Sequence, residues 1–399
     1  MQKKTILVFC DYYLPGYKSG GGTFSVVNLA ARFSDRYDFY VVTRNHDCGG
    51  DATPYTNVTT EQWNKLENER VYYVRRGGFS IERIARLFNE VNPDLVYLNS
   101  AFSLPVRTFL EARRKKRLDP AIPVVLAPCG EFSAGALSLK PLKKRLFLAY
   151  AKSVGLYEDV IWKGSFEPEA DEIRRIVGRE ADVTIAPDLA PPVILSDYDP
   201  AAKPFKKPGQ VSFGFISRLS RKKNIHYFLE RLGKIREGEI EFAIIGPLED
   251  KGYLAECEKI VAELPSNVTV QIIGSFERQK DALRRLSRCH FFVLPTLNEN
   301  FGYVFVEAMA AGCPMLISEN TVWESAAEAG AAWVLPLSEP EKWIEQINRC
   351  IAMEQAEYLA HSKTAREFSL DWLRQPEQVA ANERVLEYAL SRTFAVDGK

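Results

Sequence analysis

Short apolar runs alternate with longer amphipathic stretches through the first half of the chain: TILVFC, TFSVVNLAARF, FYVVT, IERIARLFNEV, LVYLN, VRTFLEARRKK and VVLAP. The short runs have the length and composition of strands buried on both faces, and the longer ones repeat apolar residues at the helical period. Their alternation predicts βα units around a parallel sheet. A second series starts at VSFGFIS and continues through IHYFLERLGKI, FAIIG, YLAECEKIVAEL, VTVQIIG, QKDALRRLSRC, FFVLP, YVFVEAMAAG and PMLIS. Between the two, residues 187 to 209 read PDLAPPVILSDYDPAAKPFKKPG, dense in proline and polar residues as a linker is. The expected class is α/β, with one doubly wound Rossmann-like domain over 1–195, a second over 208–366, and a boundary near 195 to 208. A helical tail over 367–390 carries Phe368 and Trp372, which give it an apolar side to pack elsewhere on the fold, the first domain included.

Composition narrows the partners. At 399 residues, with 46% hydrophobic and 26% charged content, the chain is long enough for two cores. Lys plus Arg and Asp plus Glu are equal at 52 each, so no bulk charge points to nucleic acid, and any electrostatic site is local. The seven cysteines are scattered and form no Cys-x-x-Cys or other zinc-ligand spacing, which suits a reducing cytoplasm. The opening MQKKTILVFCDYY is cut short by Asp11 and reads as a first strand and not as a signal peptide. No apolar run reaches the roughly 18 residues a membrane-spanning helix needs, so membrane contact would be peripheral. One stretch bears on that: Lys140, Lys143, Lys144 and Arg145 share a helical pattern with Leu142, Leu146, Phe147, Leu148 and Tyr150. It fits either a helix lying on an anionic membrane surface near a lipid-linked acceptor or a packed helix with a solvated basic face.

Three segments carry chemistry. Pro15 to Gly22 lies between the first strand and a helix beginning near Thr23. Its Gly20, Gly21 and Gly22 let backbone amides approach an anion at a helix N-terminus, though the run also fits a plain turn. The second, Phe215 to Asn224, follows a strand with Ser217, Arg218, Arg221, Lys222 and Lys223. A diphosphate leaving group needs its charge neutralised, and an arginine fork with a lysine point charge, Arg218 and Lys223, can do this. In the third, Pro295 to Pro314, Gly302 marks the entry to a helix, with Glu299 in the loop before it and Glu307 about a turn and a half inside. Carboxylates accept hydrogen bonds from vicinal hydroxyls, and Glu307 in the apolar YVFVEAMAAG needs a partner. The cysteine at 129 has no evident base to activate it, and the histidines, His46, His226, His290 and His361, form no triad or metal pattern.

The Arg-x4-Lys-Asn segment at 218 to 224 and the Glu-x7-Glu pair at 299 and 307, followed by Ala-x3-Gly-x-Pro, resemble the signature of family-4 retaining glycosyltransferases. Gly20 to Gly22 ahead of a helix and Asn92-Pro93-Asp94-Leu95-Val96-Tyr97-Leu98-Asn99 fit the same likeness. The resemblance implies a GT-B fold, two Rossmann-like domains facing across a cleft, with no cofactor and no metal. A nucleoside diphosphate sugar would be held mainly by the second domain and a glycan or lipid-linked acceptor by the first. Carried over by motif, Arg218, Lys223 and Glu299 are catalytic. Gly21, Gly22, Ser217, Gly246, Ser275, Phe276, Asn300, Phe301, Gly302, Tyr303 and Glu307 bind the donor. Gly20, Asn99, Cys129 and Glu131 fall to the acceptor or the cleft, with a donor contact or a helix cap as the alternatives for Glu131. Many family members have a histidine where this chain reads Pro128-Cys129-Gly130-Glu131, and that stretch is closer to a subgroup that builds bacterial lipopolysaccharide, capsule or exopolysaccharide. The implied place is the cytoplasm or the inner face of the membrane. An epimerase or hydrolase on the same fold, or a non-catalytic nucleotide-sugar binding subunit, are the alternatives.

Overall fold

The computed structural model describes residues 3–16, 19, 21–48, 53–138, 140–189, 203–248, 250–276, 279–299, 301–374 and 376–392. The chain divides into two compact units, Met1–Pro192 with Pro376–Lys399, and Val193–Gln375. The expected linker falls largely outside the described residues.

The first unit is built on strands β1 (Lys4–Phe9), β2 (Tyr37–Arg44), β3 (Trp63–Lys65), β4 (Glu69–Val74), β5 (Leu95–Asn99), β6 (Val124–Ala127), β7 (Val160–Gly164) and β8 (Val183–Ile185). Their order is β3-β4-β2-β1-β5-β6-β7-β8, parallel except for the β3–β4 pair. Because side chains alternate across a strand, Leu7 and Phe9 enter one apolar cluster and Ile6 and Val8 the other, which is why β1 reads as unbroken apolar sequence. The Asn92-Pro93-Asp94 motif has a structural use here. Asn92 closes the helix Ile81–Val91 in the left-handed conformation (φ 46°), and the Asp94 carboxylate accepts from the Thr5 amide (2.8 Å) and from Lys4 Nζ (2.6 Å), tying the start of β5 to β1.

The second unit carries strands β9 (Gln210–Ile216), β10 (Glu239–Ile245), β11 (Val268–Gly274), β12 (Phe291–Leu294), β13 (Met315–Ser318) and β14 (Ala332–Leu335). They run parallel in the order β11-β10-β9-β12-β13-β14. Phe213, Phe228 and Phe242 stack edge-on between sheet and helix, with centroids 5.3 and 5.1 Å apart.

The tail differs from the single helix read over 367–390. A helix Gln355–Arg374 belongs to the second unit and a separate helix, Pro376–Ser391, to the first. Proline lacks the amide a helix interior requires and biases the residue before it away from helical geometry, so Pro376 is where the chain changes partner. The earlier helix is held by the hydroxyls of Ser362 and Ser369, which donate to the carbonyls of Gly312 (2.7 Å) and Val306 (2.9 Å). The later one packs Val385, Leu386 and Ala389 into the cluster of Ile6 and Val8, and Asn382 and Tyr388 bond Pro187 O and Asp182.

Candidate functional site

In an open parallel sheet the ligand crevice lies beyond the carboxyl ends of the strands where the winding direction reverses. In the second unit that point is between β9 and β12, because β10 and β11 extend the sheet one way and β13 and β14 the other. The loops leaving these two strands contain Arg218 to Lys223 and Glu299.

After β9 the chain passes Ser217, whose amide donates to Ile245 O (3.1 Å), and tightens into a short 3-10 turn at Arg221–Lys223 that ends at Asn224 in the left-handed conformation. The loop after β12 is fastened to this turn. Thr296, fully buried, donates its hydroxyl to Lys222 O (3.1 Å), the Leu297 amide donates to the same carbonyl (2.8 Å), and Ser318 Oγ donates to Thr296 O (2.6 Å). The Glu299 amide donates to Asn320 O (3.0 Å). The two loops are thus locked by backbone bonds before any charge is considered.

Across this junction Lys223 Nζ donates to Glu299 Oε2, and the two side chains are only 13% and 14% exposed. Burial pushes the Glu299 carboxyl up, but the charges of Lys223, Lys222 and Arg218 and the Lys223 hydrogen bond outweigh it, so its pKa lies below the ordinary carboxylate value. Arg218 is exposed at the strand end. Glu307 lies inside the helix Tyr303–Ala310, 5% exposed, and burial pushes its carboxyl up to about 7. One carboxylate is held ionised by cations and the other is brought near half-protonation at neutral pH. The second can both accept and donate hydrogen bonds.

Glycines shape the floor. Gly302 has φ 75°, and a Cβ there would sit 2.6 Å from the Phe305 ring and 2.9 Å from Glu299 Cγ. Gly246 has φ 141°, and a Cβ would run into Ser217 O. Its amide donates to Gly274 O (2.8 Å), which puts Ser217, Gly246 and Gly274 in one row at the ends of β9, β10 and β11. Ser275 is exposed and Phe276 half-buried just beyond that row. Phe301, expected to bind donor, is 3% exposed. Its ring packs between Tyr303 (5.0 Å), Trp323 (5.5 Å) and Trp372 (5.1 Å), and its carbonyl accepts from Trp323 Nε1 (2.8 Å). Its side chain is packed into the loop and sets the loop's shape. Gly20 and Asn300 lie outside the described residues.

In the first unit the reversal point is between β1 and β5. Asn99, at the end of β5, donates to Gly22 O (2.7 Å) and accepts from Ser25 Oγ (3.2 Å), so it fixes the first turn of the helix Gly21–Phe33. Cys129 Sγ donates to Asn99 Oδ1 (3.2 Å), and burial, with Asp188 and Glu169 nearby, pushes the thiol well up, which leaves it a poor nucleophile. Glu131 spends both oxygens inside the protein. Oε1 accepts from Ser100 Oγ (2.7 Å), and Oε2 accepts from the amides of Ala101 (2.6 Å) and Phe102 (3.1 Å). Burial raises its pKa against the pull of those bonds and of the Lys144 charge.

Sequence reasoning missed the group beneath this loop. Glu169, 3% exposed, accepts from the Gly130 amide (2.5 Å) and the Ser165 amide (2.7 Å), and Lys163 Nζ donates to Asp188 Oδ1 (2.9 Å) in a buried ion pair. Lys163 sits within an apolar-looking strand, VIWKG, where a lone cation is itself a signal. Glu169 follows Ser-Phe-Glu-Pro, with proline in the first turn of its helix, the pattern of a capping carboxylate.

Several solved structures share this two-unit architecture. Sucrose-phosphate synthase from Thermosynechococcus elongatus matches with a TM-score of 0.72 at 16% identity, over 97% of this chain and 99% of that one. HepE of Anabaena, solved with UDP and glucose, matches with a TM-score of 0.67 at 16% identity, over 98% of this chain and all of that one (100%). The fold is that of the GT-B glycosyltransferases. Within that class, residues 199–368 match the family described as Glycosyl transferases group 1. The glycosyltransferase named EpsF from Bacillus subtilis (strain 168) is 31% identical over 144 residues, 35% of this chain and 35% of that protein. The chain thus matches about a third of the length of that relative.

Proposed function

We propose that the chain transfers a sugar from a nucleoside diphosphate sugar to a hydroxyl of a glycan or lipid-linked acceptor, with retention at the anomeric carbon. The observation that carries this is the Lys223–Glu299 pair bridging the two loops at the reversal point of the second sheet, with Arg218 and Lys222 adding positive charge around it. In the reaction, the bond between the anomeric carbon and the diphosphate oxygen breaks with its electron pair going to that oxygen. The acceptor oxygen bonds to the same carbon on the same face and gives its proton to the departing diphosphate. No enzymic nucleophile is required. Arg218 and Lys223 stabilise the charge that builds on the leaving group, and Glu307 is assigned to the ribose hydroxyls by its place in the Glu-x7-Glu motif, where a carboxylate accepts their hydrogen bonds.

The match to a structure solved with UDP and glucose makes a uridine donor the first to try. The likeness of residues 128–145 to surface-polysaccharide enzymes favours an acceptor from lipopolysaccharide, capsule or exopolysaccharide synthesis, handled in the cytoplasm or at the inner face of the membrane. Among the described residues no helix is long and apolar enough to cross a membrane.

The test is nucleoside diphosphate release by the full chain with uridine, guanosine and adenosine diphosphate sugars, with and without acceptor, alongside product analysis. Arg218→Ala is expected to lower kcat by roughly 100-fold or more, the usual cost of removing one such donor, with an unchanged melting temperature because the side chain is exposed. Retained turnover in this variant overturns the assignment. Free sugar or an epimerised donor as the product, independent of acceptor, would favour a hydrolase or epimerase.

A further inference from the structure

The helix Pro141–Ser153, PLKKRLFLAYAKS, contains no acidic residue. It shows solvent three large apolar side chains spaced four apart: Leu142 at 70% exposure, Leu146 at 63% and Tyr150 at 42%. At about 100° per residue these form one stripe, with Lys143 on one side of it and Arg145 on the other. The opposite side of the helix supplies its packing: Phe147 and Leu148 lie against the first unit's core, and Lys144 is drawn inward to Ala136 O (2.7 Å). The two leucines of the stripe are therefore surplus to the fold.

The structure joins this stripe to a second basic segment. Tyr150 Oη donates to Glu111 Oε1 (2.5 Å) while Arg114 holds Glu111 Oε2 (3.0 Å), so the C-terminal end of the stripe abuts the exposed run Arg114-Lys115-Lys116-Arg117. The Glu111 carboxylate at the junction is held by Arg114 and Tyr150, and Glu82 stands near Lys115 and Arg117, which leaves the cations in excess over the carboxylates. In a chain whose charges balance at 52 against 52, this concentration of cations around exposed leucines is local.

We propose that this face docks the protein onto an anionic lipid bilayer, with Leu142 and Leu146 entering the headgroup boundary and Lys143, Arg145 and the 114–117 run engaging lipid phosphates. A protein partner's groove would be satisfied by the leucines without the flanking cations. A bilayer uses both, since a short apolar stripe alone gives weak partitioning and basic side chains add to it additively.

The test is co-sedimentation of the full chain with vesicles of phosphatidylglycerol and phosphatidylcholine against vesicles of phosphatidylcholine alone. It needs no transfer activity, so its outcome is separate from the reaction proposed above. Binding is expected only to the anionic vesicles, and to fall as salt shortens the screening length from about 10 Å at 0.1 M to about 3 Å at 1 M. Leu142→Gln with Leu146→Gln, and separately Lys115→Gln, Lys116→Gln and Arg117→Gln together, should each lower the partition coefficient by at least about ten-fold. Both sets lie at exposed positions, and an unchanged circular-dichroism melt confirms that each variant folds. Equal binding to neutral vesicles, or none to anionic ones, overturns the proposal. So does a wild-type dimer that the leucine variant converts to monomer, which would assign the face to a second copy of the chain.

Discussion

Lys223 and Glu299 are expected to be as important to the fold of the second unit as to its chemistry, and the two contributions can be separated. With side chains 13% and 14% exposed, the pair is close to a fully buried one, for which removing a single partner costs about 3–5 kcal/mol because a charge is left uncompensated. Lys223→Ala should therefore cost about 3 kcal/mol, the lower end, since Lys222 and Arg218 still offer Glu299 some compensation. For a domain of this size that is a fall of roughly 6–12 °C in melting temperature. The double variant Lys223→Ala with Glu299→Ala removes both charges and should recover most of that loss, while remaining as inactive as the single.

The pH dependence gives the sign of the effect. The folded pKa of Glu299 is held below its unfolded value of 4.5, so the stability it contributes is present above that value and is lost as pH falls through the folded pKa. Without Lys223 the largest opposing charge is gone and burial moves the folded pKa upward. Lys223→Ala should then approach the wild type in stability as pH is lowered from about 8 to about 5, where protonation relieves the stranded carboxylate. Differential scanning calorimetry of wild type, both single variants and the double variant across that range reads the coupling directly. If Lys223→Ala and the double variant melt within about 2 °C of each other at pH 8, the ion pair is not energetically coupled and the reasoning fails.

Glu307 has the opposite sign. Its folded pKa of about 7 lies above its unfolded 4.5, so stability is fully present at low pH and as much as about 3 kcal/mol is lost as pH rises through that interval. Glu307→Gln should flatten the melting temperature over that range while weakening donor binding in calorimetric titration, and an unchanged pH slope would contradict the assignment. Gly302→Ala places a Cβ against Phe305 and Glu299 at a backbone angle alanine rarely adopts, and should cost about 1–3 kcal/mol and most of the turnover. Normal melting and normal rates would show that the helix entry has more room than its geometry allows. Glu169→Ala leaves the amides of Gly130 and Ser165 without their carboxylate, so hydrogen exchange at both should accelerate, and unaltered protection would refute the anchoring role.

Much of this was legible in the residues because local pattern and global fold agree. Alternating apolar and amphipathic runs produce two sheets that are parallel apart from the β3–β4 pair, as strands buried on both faces and joined by helices favour. Glu307 announced itself as a carboxylate inside an apolar helix. What could not be read was the partition of polar groups between ligand and scaffold. Spacing leaves Glu131 open between a ligand and a helix cap, and the bonds by which its oxygens close the turn after β5 are long-range ones that spacing along the chain does not encode. Phe301 stood among donor-binding candidates, but only the approach of Trp323 and of Trp372 from the tail reveals that its ring is core. The break at Pro376 is visible as a residue. That the two halves of the tail then serve different units is not, because periodicity fixes which face is apolar and not what covers it.

The two basic residues that a diphosphate site asks for are, in consequence, unequal. Arg218 is exposed at the end of its strand and lowers the Glu299 pKa only as a nearby charge, whereas Lys223 is hydrogen-bonded into a junction that also carries the backbone bonds of Lys222, Thr296 and Leu297. An arginine with few internal obligations can reorganise around a developing charge, and a lysine locked beside a carboxylate supplies a preorganised one that needs no reorganisation at the moment of reaction. The proposed chemistry uses both properties. It follows that Arg218→Lys, which keeps the charge and loses the fork, should depress kcat while leaving stability untouched. Lys223→Arg must instead fit a larger head into a closed junction and should cost stability first. If the two conservative variants gave the same profile, the division between an exposed cation and a locked one would not hold.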